Sequence, residues 1–192
     1  VTGLIFAALF LKFQDLLFFS TPLFFVTYAY YTFAFSILMV IAVYDVKHKI
    51  IPDTLALIFG ILAFIGIFFF SNDTISGISN FYSHIPTTLE LLSGILVASP
   101  FALFWLVSGG RWMGLGDAKL ALGIGWLLGM PYALSGVALA FWSGAILGII
   151  MVIVSKNSKA SKLGMKSEIP FAPFLVFGAF VAFIFGFNFF GF

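Results

Sequence analysis

The sequence predicts an all-α, polytopic membrane protein, a bundle of about six to seven transmembrane helices in one domain over residues 1–192. Hydrophobic residues make up 62% of the chain and charged residues only 8%, a balance that excludes an ordinary soluble domain. Several apolar segments approach the roughly 20 residues that one membrane crossing needs. The chain begins in an apolar run at Val1, so we expect a preceding N-terminal segment to be missing.

Polar residues and prolines divide the chain into seven apolar segments, over 1–13, 22–43, 55–70, 91–107, 118–128, 132–154 and 169–187. Lys12 and Asp15 favour a turn after the first segment, although the first helix alternatively continues to Phe19. Pro22 suits the first turn of the second helix.

Local signals also predict helix starts and close helix contacts. Pro52 interrupts any helix between the second and third segments, and Asp53 then stands where it would cap the third. The sequence Thr87-Thr88-Leu89-Glu90 has the pattern of a capping box. The sixth segment has small residues at every fourth position, which allow a neighbouring helix to pack closely: Gly136, Ala140, Gly144 and Gly148.

The basic residues predict the orientation of the bundle. Lys47, Lys49, Arg111 and the lysines of 156–166 fall on one side of the membrane if the spans are as drawn, whereas the 71–86 loop has no Lys or Arg. By the positive-inside rule the basic side is cytoplasmic. The protein is expected to be a multi-pass protein of the cytoplasmic (inner) membrane. A net charge of only +2 does not indicate a nucleic-acid partner.

The two acids that stand at span ends on this side are the strongest functional candidates. Asp45 ends one helix and Asp117 begins another, directly after Gly114-Leu115-Gly116. An acid there is costly unless it is used, although an Asp that merely caps a glycine-rich helix entrance is an ordinary alternative. If the two carboxyls meet, they share a proton, and one acts as base toward water while the other acts as acid toward a peptide carbonyl. Gly114 and Gly116 leave room for a substrate backbone.

Four motifs in order on one membrane face resemble the type IV prepilin peptidases. They are Tyr44-Asp45, Ile51-Pro52-Asp53, Gly114-Leu115-Gly116-Asp117-Ala118-Lys119-Leu120 and Pro170-Phe171-Ala172-Pro173. The resemblance covers nearly the whole chain and corresponds to the family's membrane catalytic part. Ala172 stands where the family usually has Gly, which leaves the shape of that segment open.

The resemblance implies an aspartic endopeptidase that cuts the leader peptide of prepilin-like proteins at the cytoplasmic membrane face, with Asp45 and Asp117 as its catalytic residues. Peptidase activity is expected to need no cofactor. We assign the remaining motif residues to substrate binding: Gly114, Gly116, Lys119, Asp53, Pro170 and Pro173. Alternatively, Lys119 is simply a lysine at the membrane interface, and Asp53 is the cap of the third helix. Many family members carry a zinc-binding cysteine segment and methylate the new N-terminus, but this chain has no Cys, so no metal site is predicted and methylation stays open.

Other functions fit part of the pattern. Tyr-Asp with Gly-Leu-Gly-Asp also resembles the presenilin and signal-peptide-peptidase class, whose closing Pro-Ala-Leu motif is absent near Pro170, and a preflagellin-type peptidase differs mainly in substrate. A small proton- or cation-coupled transporter would use the same intramembrane acids, but the sequence shows no internal repeat. The lipid bilayer is the expected surrounding, and the sequence does not determine the oligomeric state.

Overall fold

The computed structural model describes residues 2–16, 22–70, 85–111, 113–157 and 170–191. These residues form seven helices and no strand: α1 (Thr2–Leu16), α2 (Pro22–His48), α3 (Asp53–Phe69), α4 (Thr88–Ser108), α5 (Leu115–Leu128), α6 (Met130–Asn157) and α7 (Ala172–Phe185). Three segments are long and apolar enough to cross a membrane: Phe24–His48, Thr88–Ser108 and Met130–Met151. The predicted all-helical membrane bundle is therefore confirmed.

The first helix does not end where its polar residues begin. α1 continues through Lys12 to Leu16, so the turn predicted around Lys12 and Asp15 is wrong. Helix is possible there because the Lys12 ammonium donates to the backbone carbonyl of Phe183 in α7 and lies 4.5 Å from the centre of its ring. The alternative continuation of this helix to Phe19 reaches beyond the described residues.

Helix boundaries near the two candidate acids also differ from the prediction. α2 extends to His48 instead of ending at Val43, and α5 begins at Leu115 instead of Ala118. Asp45 therefore lies in the last turn of α2, and Asp117 lies in the first turn of α5. Both carboxyls are thus carried by helical backbone, at the helix ends where the sequence places them.

The two predicted helix caps have opposite outcomes. The capping box of α4 is confirmed, because the Thr87 hydroxyl accepts from the Glu90 N–H and the Glu90 carboxylate accepts from the Thr87 N–H at 2.8 Å. The predicted capping role of Asp53 is wrong. Pro52 occupies the cap position of α3 without a side-chain hydrogen bond, while Asp53 is the first helical residue and pairs with Lys119.

The short helix α5 lies at the centre of the bundle and packs against α3, α4, α6 and α7. Nine of its 14 residues are buried. A Cβ added to Gly125 would lie 2.7 Å from Gly94 Cα, and the Ser93 hydroxyl donates to the Gly125 carbonyl at 2.9 Å. This glycine contact lets α4 and α5 approach at backbone distance.

The small-residue stripe of α6 packs against α7. A Cβ added to Gly136 would lie 3.0 Å from Ala179 Cα, and one added to Gly144 would lie 3.6 Å from the Phe174 ring. The packing role predicted for this stripe is confirmed at these two glycines. The lysines at 159, 162 and 166, together with most of the 71–86 loop, lie outside the described residues.

Candidate active site

Asp45 is buried at the point where α2 meets the start of α7. Its side chain is only 5% exposed, and its Oδ2 accepts a hydrogen bond from the Ala172 backbone N–H at 3.2 Å. The backbone carbonyl of Asp45 accepts from the Lys49 N–H at 2.7 Å. Lys49 has a left-handed backbone with φ of 55°, which ends α2 and turns the chain toward α3. The Asp45 carboxyl is thus carried by the last turn of α2 and accepts a hydrogen bond from the backbone of α7.

Asp117 is the third residue of α5 and is only 8% exposed. Its backbone N–H donates to the Gly114 carbonyl at 3.3 Å, which closes the first turn of the helix. A Cβ added to Gly114 would lie 3.8 Å from Asp117 Oδ2, an ordinary contact distance. The Gly-Leu-Gly-Asp sequence therefore turns the chain into α5 with the Asp117 carboxyl facing the protein interior.

The structure brings these two carboxyls into electrostatic contact. Burial, and to a lesser extent the charge of Asp45, raise the pKa of Asp117, which lies at the helix entrance, from 3.8 to about 7. A hydrogen bond with the Gly114 backbone lowers the pKa and only partly offsets the increase. Near neutral pH, then, Asp117 is able to keep a proton while facing another carboxyl, which is the arrangement that an acid–base pair requires.

The two glycines of the motif have different surroundings. Gly114 has space for a Cβ, with only ordinary contacts around it. A Cβ added to Gly116 would lie 2.9 Å from Ile51 Cβ, so this glycine is filled by the segment that leads into α3. Gly116 therefore allows α5 to pack closely on Ile51. Of the two glycines, Gly114 alone has free space beside it, which a substrate backbone could occupy.

The candidate residues Asp53 and Lys119 form an ion pair. Lys119 Nζ lies 2.6 Å from Asp53 Oδ1, and the two side chains are 43% and 75% exposed. They join the first residue of α3 to the fifth residue of α5, on the outer surface of the bundle. The charge that raises the pKa of Asp117 is that of Asp45.

The segment over Pro170, Phe171, Ala172 and Pro173 forms the start of α7. Phe171 occupies the cap position, and Ala172 and Pro173 are the first two helical residues. Both prolines are partly buried, and neither has an N–H to offer, so the donor to Asp45 comes from the fully buried Ala172 between them. The sequence prediction missed this donor. Its signal was the proline in the first turn of the helix, which marks a helix start and hence free backbone N–H groups.

Among the described residues, the other ionisable side chains form no second cluster. The described residues contain no group of three or more His, Asp or Glu side chains able to hold a metal ion. The His48 ring stacks on Tyr44 with centroids 4.2 Å apart. His84 lies outside the described residues.

Fold and site together define a multi-pass membrane protein in which two buried carboxyls lie at one end of a helical bundle, close enough for one to influence the other electrostatically. The chain belongs to the type IV leader peptidase family, whose sequence profile matches residues 32–149. The match includes Asp45 and Asp117 and ends before Ala172. The family resemblance of the motifs is thereby confirmed.

Curated relatives carry a more specific name. The proteins of Xanthomonas campestris pv. campestris and Pseudomonas aeruginosa, both named prepilin leader peptidase/N-methyltransferase, are 28% and 29% identical to the chain over 146 and 154 residues. These alignments cover 74% and 78% of the chain but 45% and 47% of the relatives. The chain therefore spans about half the length of the curated relatives it matches. No solved structure matches it significantly.

Proposed function

We propose that the chain is a membrane aspartic endopeptidase that removes the leader peptide of type IV prepilin-like proteins, with Asp45 and Asp117 as its catalytic residues. One observation carries the proposal: two carboxyls, 72 positions apart in the sequence, are buried in electrostatic contact at one end of the bundle. Burying like charges together costs free energy, and such an arrangement is typical of a functional pair. The shared name of the relatives supports the substrate class.

The surroundings of the two carboxyls favour different roles. The Ala172 N–H stabilises the ionised form of Asp45, because a backbone donor favours a carboxylate over a carboxylic acid. Burial and, secondarily, the charge of Asp45 favour the protonated form of Asp117. Asp45 is therefore the base, and Asp117 is the acid.

Peptide hydrolysis then proceeds with balanced proton transfers. Asp45 takes a proton from water, the hydroxyl adds to the peptide carbonyl carbon, and Asp117 gives its proton to the carbonyl oxygen. In the second step the C–N bond breaks, Asp45 returns its proton to the leaving amine, and Asp117 recovers a proton from the tetrahedral intermediate. The step uses two carboxyls and one water, so we propose no cofactor for it.

We propose that the site faces the cytoplasm. Lys47, Lys49 and Arg111 are exposed at the same end of the bundle as Asp45, which is the distribution that the positive-inside rule assigns to the cytoplasmic face. The chain has no Cys, so single-cysteine labelling tests this directly. Lys49→Cys should react only after the membrane is opened, while Asn188→Cys, beyond the far end of α7, should react in intact cells. The reverse pattern would overturn the orientation.

The peptidase proposal is tested by coexpressing the protein with a prepilin and following loss of the leader by gel shift. Asp45→Asn and Asp117→Asn should each abolish cleavage, by about a thousandfold or more, while the membrane protein still accumulates. Glu90→Gln is the matched control, since it removes an acid from the capping box of α4 and should leave cleavage intact. Normal processing by either Asp variant would exclude the proposed pair.

A further inference from the structure

Two contacts outside the carboxyl pair join the start of α3 to the start of α5. The first is the ion pair between Asp53 and Lys119 at 2.6 Å. The second is the close packing of Ile51 on Gly116, where an added Cβ would lie 2.9 Å from Ile51 Cβ. We refer to these four residues as the α3–α5 junction. The two contacts differ in chemistry, one ionic and one steric, yet they connect the same two helix ends.

The junction connects the helices that carry the two carboxyls. Asp45 lies in α2, α2 leads directly into α3, and the start of α3 contacts the start of α5, which carries Asp117. α2 ends at His48, three residues after Asp45, and only residues 49–52 separate it from α3. Lys49 turns this segment with its left-handed backbone. On the other side Gly116 directly precedes Asp117. Ile51 in this four-residue connection and Asp53 directly after it therefore contact Gly116 and Lys119, which lie on either side of Asp117.

Lys119 is placed to act on the position of Asp117 and not on the reacting atoms. Two residues along a helix correspond to a rotation of about 200°, so the two side chains leave α5 on nearly opposite sides. Their exposures agree, because Asp117 is 8% exposed and Lys119 is 43% exposed. Lys119 faces its partner Asp53 at the outer surface.

We infer that the α3–α5 junction holds Asp117 in register with Asp45, and that Asp53 and Lys119 are positioning residues instead of substrate contacts. The inference rests on the proposed peptidase function. An exposed ion pair alone contributes little stability, so its effect is expected in geometry more than in folding. Misplacing a catalytic group by about 1 Å costs up to about 100-fold in rate.

A charge exchange tests the inference in the full chain with a purified prepilin. Asp53→Lys and Lys119→Asp should each lower kcat by about tenfold or more, with KM changed less than about twofold. The double variant restores the ion pair with reversed polarity and should recover kcat to within about threefold. A substrate contact would instead raise KM, and the exchange would not rescue it, because the substrate would meet the wrong charge at both positions.

A second measurement does not depend on charge. Asp53→Cys with Lys119→Cys, made in the naturally cysteine-free chain, should have low kcat until a short bismaleimide joins the two thiols and restores it. Lys119→Arg, which keeps the ion pair, should remain close to the unmodified protein.

The inference is overturned if neither charge exchange nor cross-linking restores kcat, or if the single variants change only KM. It is also overturned if the single variants cleave normally. Failure of the proposed function looks different, because Asp45→Asn and Asp117→Asn would then process the prepilin like the unmodified protein.

Discussion

The backbone N–H of Ala172 donates to Oδ2 of Asp45 at 3.2 Å, across 127 positions of sequence. This bond places the first turn of α7 on one member of the carboxyl pair. The two carboxyls consequently have unequal surroundings, since Asp45 receives a backbone donor from another helix while Asp117 is held within its own helix entrance. Their proposed division into base and acid follows from this inequality.

Removing the N–H of residue 172 should slow the chemical step. Ala172→Pro deletes the donor at a first helical position that accepts proline, and we expect kcat to fall by about ten- to 100-fold with little change in KM. Ala172→Gly keeps the N–H and should lose much less activity. The Phe171 backbone is helical, which a following proline disfavours, so thermal stability is measured alongside. Equal losses in both variants would argue against a role for the N–H.

The pKa of Asp117 predicts how cleavage depends on pH. With Asp117 as the acid and its pKa near 7, the value of kcat/KM should fall as pH rises above about 7, because the proton needed by the carbonyl oxygen is lost. Ionisation of Asp45 sets the fall on the acid side. Initial rates with a purified prepilin across this range check the prediction. A rate that stays constant well above pH 8 would contradict the assignment of Asp117 as acid.

Asp117 also predicts a pH-dependent stability that needs no substrate. The unfolded chain releases this proton near 3.8 and the folded protein near 7, so the folded state binds more protons between these values. Stability due to this group therefore decreases as pH rises from about 4 to about 7. Asp117→Asn removes the effect, and its gain in melting temperature in detergent should grow over that range and then level off. A gain independent of pH would indicate another cause.

The contact between α4 and α5 should not tolerate even one methyl group. In Gly125→Ala the new Cβ would lie 2.7 Å from Gly94 Cα and 2.8 Å from the Ser93 carbonyl oxygen, both backbone atoms that cannot move independently. We expect about 1–3 kcal/mol of destabilisation and reduced accumulation in the membrane. Gly60→Ala is the matched control, because nothing lies within 4 Å of its added Cβ. Melting temperature in detergent compares the two.

Much of this architecture is local and was therefore predictable. The capping box needs only Thr87 and Glu90 at the right spacing, and the order of helices follows from apolar length. The positions of Asp45 and Asp117 at helix ends on one side also follow from the helix count. The contact between them stays a prediction, because sequence gives the side of the membrane and not the distance between two helices.

The failures involve partners far away in the sequence. Asp53 is a residue type that commonly caps helices, but its carboxylate instead accepts a hydrogen bond from Lys119, 66 positions later. The polar side chain of Lys12 suggested a turn, yet its ammonium donates a hydrogen bond to a carbonyl of α7 and the helix continues. In both places a tertiary contact outweighs the local preference.

The last helix is held at both ends, by Ala172 at Asp45 and by the Phe183 carbonyl at Lys12. The 11 steps along the helix from Ala172 to Phe183 span about 16 Å. Inserting or deleting one residue there would turn the far end by about 100° and shift it by about 1.5 Å, so both contacts would not persist together. The number of residues between Ala172 and Phe183 is therefore constrained by these two contacts. Outward-facing positions of α7 should tolerate substitution, whereas insertions and deletions in it should not be tolerated.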